Sequence, residues 1–347
     1  MIYLKAVVKY AREDGNTEVR DVPVPKIRSK DTLVKVKYIG ICGSDPHIYH
    51  NNVSYKIECP VILGHEFSGV IDKIGGDVKN FKIGDRVTAE THAEYCGKCL
   101  MCRTNNYHLC RDRKGYGTRV DGAFAEYVKV PERILHRVPD NVSMKEAALT
   151  EPLCVAYNLV VKNITINPGD IVMIIGPGPI GLLCCKMAQI AGASELIVVG
   201  TSGDDKRLEK AKEYGATQII NSTKEDPLNY IKDKNEGYGV DVAIDAAGPA
   251  ESLKLALEAV RPSGIIGKVA WGPKPINFSL DKLLEKSLTL RGTFSHTWDV
   301  WEKSLNLLKN GQVNLGDLIT HELKINDWEK GFKLVETKEG LKVILKP

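Results

Sequence analysis

The sequence predicts an α/β protein of two bodies, one β-rich and the other a doubly wound parallel sheet. Three observations carry that expectation. Residues 1–90 alternate apolar and polar positions in short runs broken by turn residues, the mark of many short strands. From Asp170 onward, continuous apolar runs alternate with helical stretches, the rhythm of a parallel sheet covered on both faces. After Thr293 the tail is too short for a domain of its own. It is expected to fold back onto the β-rich part, leaving a cleft between the two bodies. The expected boundaries are 1–152 with 294–347 for the first body and 153–293 for the second.

Length and composition agree with this. At 347 residues the chain is long enough for about two domains, and an apolar share of 43% supports ordinary cores. The net charge is +4, with no Lys/Arg block of the kind that tracks phosphate backbones, which argues against nucleic-acid binding. No apolar run approaches the ~18 residues that a membrane span needs. The stretch Met1–Tyr10 alternates like a strand and lacks a cleavage site, so it does not read as a signal peptide. Nine cysteines, an odd number with four of them packed into 96–110, fit a reduced cytoplasmic protein using thiolates on metal better than an oxidised secreted one.

Taken in order, Leu33–Ile39 alternates as a half-buried strand, Phe67–Gly75 reads as another, and Lys82–Val87 carries a Gly-Asp turn into a third. Between them lie Gly40-Ile41-Cys42-Gly43-Ser44-Asp45-Pro46-His47 and Gly64-His65-Glu66, in loops where functional residues collect. A lone Cys is usually a small buried hydrophobe. Cys42, His65 and Glu66 together form a soft, a borderline and a hard ligand, and three protein ligands with one open position is the layout of a catalytic zinc site. Cys96, Cys99, Cys102 and Cys110 follow as C-x2-C-x2-C-x7-C, four thiolates that can close around one tetrahedral ion and leave no position for chemistry, a structural zinc site in preference to disulfides or an iron–sulfur cluster. Strand and loop character returns at Gly122–Val130, and Glu151-Pro152-Leu153 opens an apolar helix, Leu153–Val161.

The second body begins with the apolar run Ile171–Ile175. It ends in Gly176-Pro177-Gly178-Pro179-Ile180-Gly181, a G-x-G-x-x-G set between a buried strand and a helix running to about Ile190. In that setting the glycines allow a tight turn and let a pyrophosphate approach the helix N-terminus. Strands are expected at Leu196–Val199, Gln218–Ile220, Val240–Ala246, Gly264–Ala270 and Ser287–Thr293. Helices are expected at Asp204–Tyr214, from about Asp226, and at Glu251–Val260. The tail reads as helix Val300–Asn310, strand Ile319–Leu323, helix Trp328–Glu336 and strand Lys342–Leu345.

With these residues placed, the chain resembles the zinc-dependent medium-chain alcohol dehydrogenases over essentially its full length. The resemblance rests on Cys42-Gly43-Ser44-Asp45-x-His47, Gly64-His65-Glu66, the four-Cys lobe and Gly176-x-Gly178-x-x-Gly181, in that order. Cys42-Gly43-Ser44 and Glu151-Pro152-Leu153 resemble the polyol and threonine dehydrogenase branch. The resemblance implies a GroES-like catalytic domain and a Rossmann domain, two zinc ions per chain (one catalytic, one structural) and NAD or NADP. It implies that Cys42, His65 and Glu66 ligate the catalytic zinc, and that Glu151 either ligates it or approaches it as water and substrate exchange. Asp45 would orient the ligands. Ser44 and His47 would relay a proton from the alcohol through the cofactor ribose to solvent. Hydride removal from a carbinol requires its hydroxyl proton to leave. A free alcohol holds that proton to ~16, and zinc brings this to about 7.

The second strand of the parallel sheet lacks the acid expected ~20 residues past the glycines to hold the ribose 2′-OH. It ends in Gly200-Thr201-Ser202-Gly203, with Asp204 and Asp205 late and Lys206 and Arg207 nearby. Thr201, Ser202 and Arg207 are therefore expected to accommodate a 2′-phosphate, favouring NADP or dual use. By position in the resemblance, Tyr49, His50 and Phe294–Trp298 face the cleft, and polar lining suits a polyol. Against that, the aromatics of 296–301 stand at helical spacing, which more often marks core. Glu90-Thr91-His92 and His296-x-Trp298-x-x-Trp301 resemble threonine dehydrogenases. The expected reaction is hydride transfer between a secondary alcohol, foremost a sugar alcohol or its phosphate, and NAD(P). L-Threonine is the alternative substrate, and a catalytically silent nucleotide-binding protein the alternative class. The intact set Cys42, Ser44, His47, His65 and Glu66 argues against a silent protein. Strand Ser287–Thr293, at the sheet edge, is expected to pair with a copy of itself in a homodimer or homotetramer.

Overall fold

The computed structural model describes residues 3–272 and 274–347. It consists of two compact units, Met1–Glu151 with His296–Pro347, and Pro152–Ser295.

The first unit is built on a sheet whose strands run in the order Ile319–Lys324, Lys342–Lys346, Asp31–Gly40, Glu66–Ile74, Arg86–Ala89 and Leu135–Arg137. Tyr127–Pro131 also pairs with Asp31–Gly40. The alternation read at Leu33–Ile39 has its physical cause here: Val34 and Val36 are buried in the core while Lys35 and Lys37 face outward. Register decides the position of the site. Gly40 pairs with Glu66 on one side and Ile344 on the other. The loop that leaves Gly40 toward Cys42, the turn His65-Glu66 and the start of the strand at Lys342 are thereby brought to one corner. A smaller sheet joins Thr17–Pro23, Tyr3–Lys9 and Val61–Ile62. The strand expected over Met1–Tyr10 is present as Tyr3–Lys9; Met1 and Ile2 lie outside the described residues.

The second unit is a six-stranded parallel sheet. Its strands lie in the order Gln218–Asn221, Glu195–Gly200, Ile171–Ile175, Val240–Asp245, Val260–Lys268 and Thr289–Gly292. In chain order this is third, second, first, fourth, fifth, sixth, the arrangement of dinucleotide-binding sheets. Residues 172–174 are fully buried, which is why they read as a continuous apolar run. The strand expected at Gly264–Ala270 instead spans Val260–Lys268, because Pro262 and Gly264 interrupt its apolar pattern and a bulge separates Val240–Val260 pairing from the rest. The helix expected at Leu153–Val161 starts at Thr150, accepts Pro152 in its first turn, and widens into a π-helical turn over Asn158–Asn163. Among the described residues no helix is long and apolar enough to cross a membrane.

Candidate active site and nucleotide site

The corner of the first unit collects the predicted ligands. Cys42 Sγ, a ring nitrogen of His65 and a carboxylate oxygen of Glu66 lie within 4.8 Å of one another. Gly40 makes this possible, since a Cβ there would fall on Glu66 Oε2 and come within 2.9 Å of Leu149 Cδ2. The carboxylate is held from the other side by Lys342, whose Nζ donates to Glu66 Oε1 at 2.6 Å and to the Ile41 carbonyl at 3.0 Å. Lys342 and Glu66 are 3% and 1% exposed, so the pair is desolvated. Glu66 Oε2 is buried without a hydrogen-bond partner. Asp45 Oδ2 accepts the Cys42 N–H at 2.8 Å, while its Oδ1, buried without a hydrogen-bond partner, stands 3.7 Å from His65 Nδ1, close enough for ion pairing but beyond hydrogen-bond distance.

The electrostatics of the corner follow from its burial and its charges. Burial raises the Asp45 carboxyl to about 6. Burial opposes charge on His65, yet Cys42, Asp45 and Glu151 push it well above the ordinary histidine range. Lys342 is likewise raised against burial by Glu66 and Cys42. A cysteine sulfur, an imidazole and a carboxylate with one orphaned oxygen make a donor set that fits a zinc ion with three protein ligands.

Ser44 opens the short helix Ser44–Tyr49, and His47 lies on the same face one turn on, exposed to solvent. The Ser44 hydroxyl bonds Tyr55, a residue that sequence reasoning missed. Two residues expected to face substrate do not have surroundings that suit it. Tyr49 packs edge-on against Trp328 and Phe332, and His50 sits on the surface between Asp14 and Glu336.

The four cysteines 96, 99, 102 and 110 converge, with Sγ–Sγ distances of 3.9 Å (Cys96–Cys102), 3.6 Å (Cys99–Cys102) and 3.6 Å (Cys96–Cys110). Four sulfurs at about 2.3 Å from a tetrahedral zinc stand roughly 3.8 Å apart. A disulfide needs about 2.05 Å. The spacing fits the metal. Backbone N–H groups of Lys98 and Cys99 lower the Cys96 thiol to about 6, favouring the thiolate that zinc takes.

Glu151 is buried beside this corner but is not within ligand distance of all three donors. Its Oε1 lies 3.2 Å from His296 Nε2, and Trp301 Nε1 donates to His296 Nδ1 at 2.7 Å. His296 and Trp301 are thus core, as their helical spacing suggested, while Trp298 is exposed. Glu90 and His92 are also buried. Glu90 binds His92 at 2.7 Å and accepts from Tyr107 at 3.0 Å, and it stands 3.6 Å from His136. Glu90, His92 and His296 form a third group of ligand-type atoms within 4.8 Å, and each already has a hydrogen bond inside the protein.

In the second unit, Gly176 turns the chain with φ +102°, Gly178 caps the helix Pro179–Ile190, and a Cβ on Gly181 would strike the Gly176 carbonyl. Pro179, which has no N–H to lose, opens the first turn, and the N–H groups of Ile180 and Gly181 that follow stay available to a pyrophosphate. Thr201 and Ser202 are exposed. Asp204 is buried and its Oδ2 accepts from both the N–H and the hydroxyl of Thr201 at 3.0 Å. Asp205 binds Asn221 and Lys224. Arg207 is half-buried, and Asp204 is the neighbouring charge that most opposes its desolvation.

Comparison with known proteins shows the family. The chain matches the alcohol dehydrogenase GroES-like domain over residues 28–140 and the zinc-binding dehydrogenase family over residues 179–310. Sorbitol dehydrogenase of Halalkalibacterium halodurans is 39% identical over 345 residues, covering 99% of each chain. L-threonine 3-dehydrogenase of Bacillus velezensis is 36% identical over 348 residues, again 99% of each. The structure of a zinc-binding dehydrogenase from Sinorhizobium meliloti bound to NADP superposes with a TM-score of 0.91 at 29% identity over 100% of both chains. By sequence, by fold and by its metal-ligand clusters, the chain belongs to the zinc-dependent medium-chain alcohol dehydrogenases, NAD(P)-dependent oxidoreductases, in the branch that holds the polyol dehydrogenases.

Proposed function

We propose that the chain interconverts a polyol, or a polyol phosphate, and its ketose, with Cys42, His65 and Glu66 as the ligands of the reactive zinc. The observation that carries the assignment is the corner itself: three donors within 4.8 Å, with Lys342 holding one oxygen of Glu66 and the other left unpartnered. When bound, zinc supplies the Lewis acidity that brings an alcohol proton within reach of neutral pH, and NAD(P)⁺ supplies the hydride acceptor. The chain's own residues do the rest. Asp45 holds the Cys42 backbone in place and sets a carboxylate beside His65. Ser44 receives the hydroxyl proton, Tyr55 orients the Ser44 hydroxyl, and the exposed imidazole of His47 carries the proton outward through the cofactor ribose. Cys96, Cys99, Cys102 and Cys110 hold the structural zinc. Glu151 is the carboxylate poised beside the reactive position.

We read the cofactor as NADP in preference to NAD. The two acids that could hold a ribose 2′-OH are engaged, Asp204 with the N–H and hydroxyl of Thr201 and Asp205 with Asn221 and Lys224, which supports a 2′-phosphate seat on Ser202 and Arg207 beside the turn that Thr201 braces. Arg207→Ala should then lower kcat/KM for NADP⁺ by about 10–100-fold while sparing NAD⁺, on the scale of a lost charge-assisted bond. Equal losses with both cofactors would contradict the assignment.

A second substrate, L-threonine, is favoured by Arg113. Its Nη2 reaches Thr91 Oγ1 at 3.5 Å and Glu151 is a charged neighbour, so its guanidinium would give a substrate carboxylate a counter-charge. Homo-oligomerisation through the edge strand Thr289–Gly292 is supported by the exposure of all four of its residues and of Leu284 nearby. Nine cysteines, none of them in a disulfide, suit a reducing, cytoplasmic compartment. The test is nicotinamide reduction with NAD⁺ and NADP⁺ in parallel on sorbitol, xylitol, galactitol, a phosphorylated pentitol, 2,3-butanediol and L-threonine. Turnover of a sugar alcohol or its phosphate is expected. Turnover of threonine alone would replace the substrate, and silence on protein holding two zinc ions would overturn the reading.

A further inference from the structure

The line of side chains Trp301, His296 and Glu151 has a directionality that its chemistry determines. An indole N–H can only donate. Trp301 Nε1 lies 2.7 Å from His296 Nδ1, so Nδ1 must present its lone pair. A neutral imidazole then carries its proton on Nε2, the nitrogen that faces Glu151 Oε1 at 3.2 Å. The three residues are 1%, 0% and 8% exposed, so water does not compete for these bonds. The indole is itself immobilised. It stacks on His136 with ring centroids 5.3 Å apart at 8°, and His136 Nδ1 is bound to Glu302 at 2.6 Å. A rigid support therefore ends in one N–H aimed at one carboxylate oxygen.

We infer that His296, locked in its Nε2–H tautomer by Trp301, is a positioning residue that holds Glu151 back from the Cys42–His65–Glu66 corner and so keeps the fourth ligand position open for the alcohol. This rests on the assignment of that corner as the reactive zinc site. The geometry supports restraint: Leu149, two residues before Glu151, closes on Glu66 around Gly40, so Glu151 is buried beside the corner, yet its Oε1 is bound to His296 and it stands outside mutual ligand distance of the three donors. A carboxylate of that reach has two partners open to it, a hydrogen bond from the imidazole N–H or coordination to the cation, and the indole favours the first.

The test uses His296→Ala, His296→Gln and Trp301→Phe in the full chain, each alone and with Glu151→Ala. Zinc release from the reactive site to a chromophoric chelator is followed alongside kcat and KM. With His296→Ala, the freed carboxylate should close on the metal. Zinc release should slow by about 10–100-fold, the range by which groups behind the ligands tune metal affinity, and KM for the alcohol should rise more than kcat falls. His296→Gln, whose amide can still donate near the Nε2 position, should restore much of the wild-type behaviour. In the Glu151→Ala background, His296→Ala should change zinc release by less than twofold. Independently, the ¹⁵N resonances of His296 in the metal-free protein should report the Nε2–H tautomer, and Trp301→Phe should mix the tautomers. Faster or unchanged zinc release in His296→Ala, or the same effect with and without Glu151, would overturn the inference while leaving the zinc assignment intact. Wild-type protein that holds only the four-cysteine zinc would instead remove the assignment on which it rests.

Discussion

Lys342→Met tests the reactive corner through its least exposed charge. The substitution keeps the aliphatic stem and removes the ammonium that donates to Glu66 Oε1 at 2.6 Å and to the Ile41 carbonyl at 3.0 Å. Glu66 is 1% exposed and its other oxygen is already unpartnered, so in metal-free protein the carboxylate is left buried without a counter-charge. Breaking such a pair costs about 3–5 kcal/mol. For a unit of this size each kcal/mol lowers the melting temperature by about 2–4 °C, giving a fall of roughly 6–20 °C. Zinc on Oε2 supplies the missing positive charge, so the fall should shrink by at least half in the zinc-loaded protein. The assay is thermal unfolding by circular dichroism of metal-free and zinc-loaded wild type and variant at pH 7. A fall below about 2 °C in the metal-free form would refute the buried-pair argument. An equal fall in both forms would refute the placing of the metal on Glu66.

Cys42→Ala should remove one zinc per chain and abolish turnover while the four-cysteine zinc stays, as metal analysis and activity would show; full activity would contradict the ligand assignment. Cys99→Ala should release the other zinc and lower thermal stability, and an unchanged melting temperature would count against a structural site. Gly40→Ala drives a methyl group onto Glu66 Oε2 and Leu149, so it should cost about 1–3 kcal/mol of stability and speed zinc loss from the reactive site. His50 is raised above its ordinary value, because Asp14 and Glu336 outweigh a modest burial. A raised folded value means the contribution is complete below about 6.5 and lost as pH rises through the folded value. His50→Gln should therefore destabilise by roughly 0.2–1 kcal/mol at pH 5.5, in the range of exposed pairs, and by almost nothing at pH 8.5. Equal destabilisation at both pH values would contradict this.

What could be read in the sequence is what short segments encode. Ile171–Ile175 is apolar throughout because its strand is covered on both faces, and the four cysteines sit close enough in sequence to define their own site. The parts that were not legible depend on contacts between distant segments. Lys342 meets Glu66 across 276 positions, and His296 meets Glu151 across 145. One signal was present: a lysine opening the apolar run Val343–Leu345 is buried only if an acid meets it. Glu90, His92, Tyr107 and His136 likewise read as scattered polar residues and become one buried network only when the fold assembles them. Pro152 concealed the true start of its helix at Thr150, because proline is as compatible with a first turn as with a boundary.

The central claim, that Cys42, His65 and Glu66 hold a reactive metal while the four cysteines hold an inert one, is tested most directly by loading the metal-free chain with cobalt(II) and recording its visible spectrum before and after a polyol is added. The account predicts two equivalents bound, one with an all-thiolate spectrum indifferent to the polyol and one with mixed sulfur, nitrogen and oxygen ligation whose d–d bands shift on its addition. A single equivalent, or two sites that both ignore every alcohol offered, would contradict it.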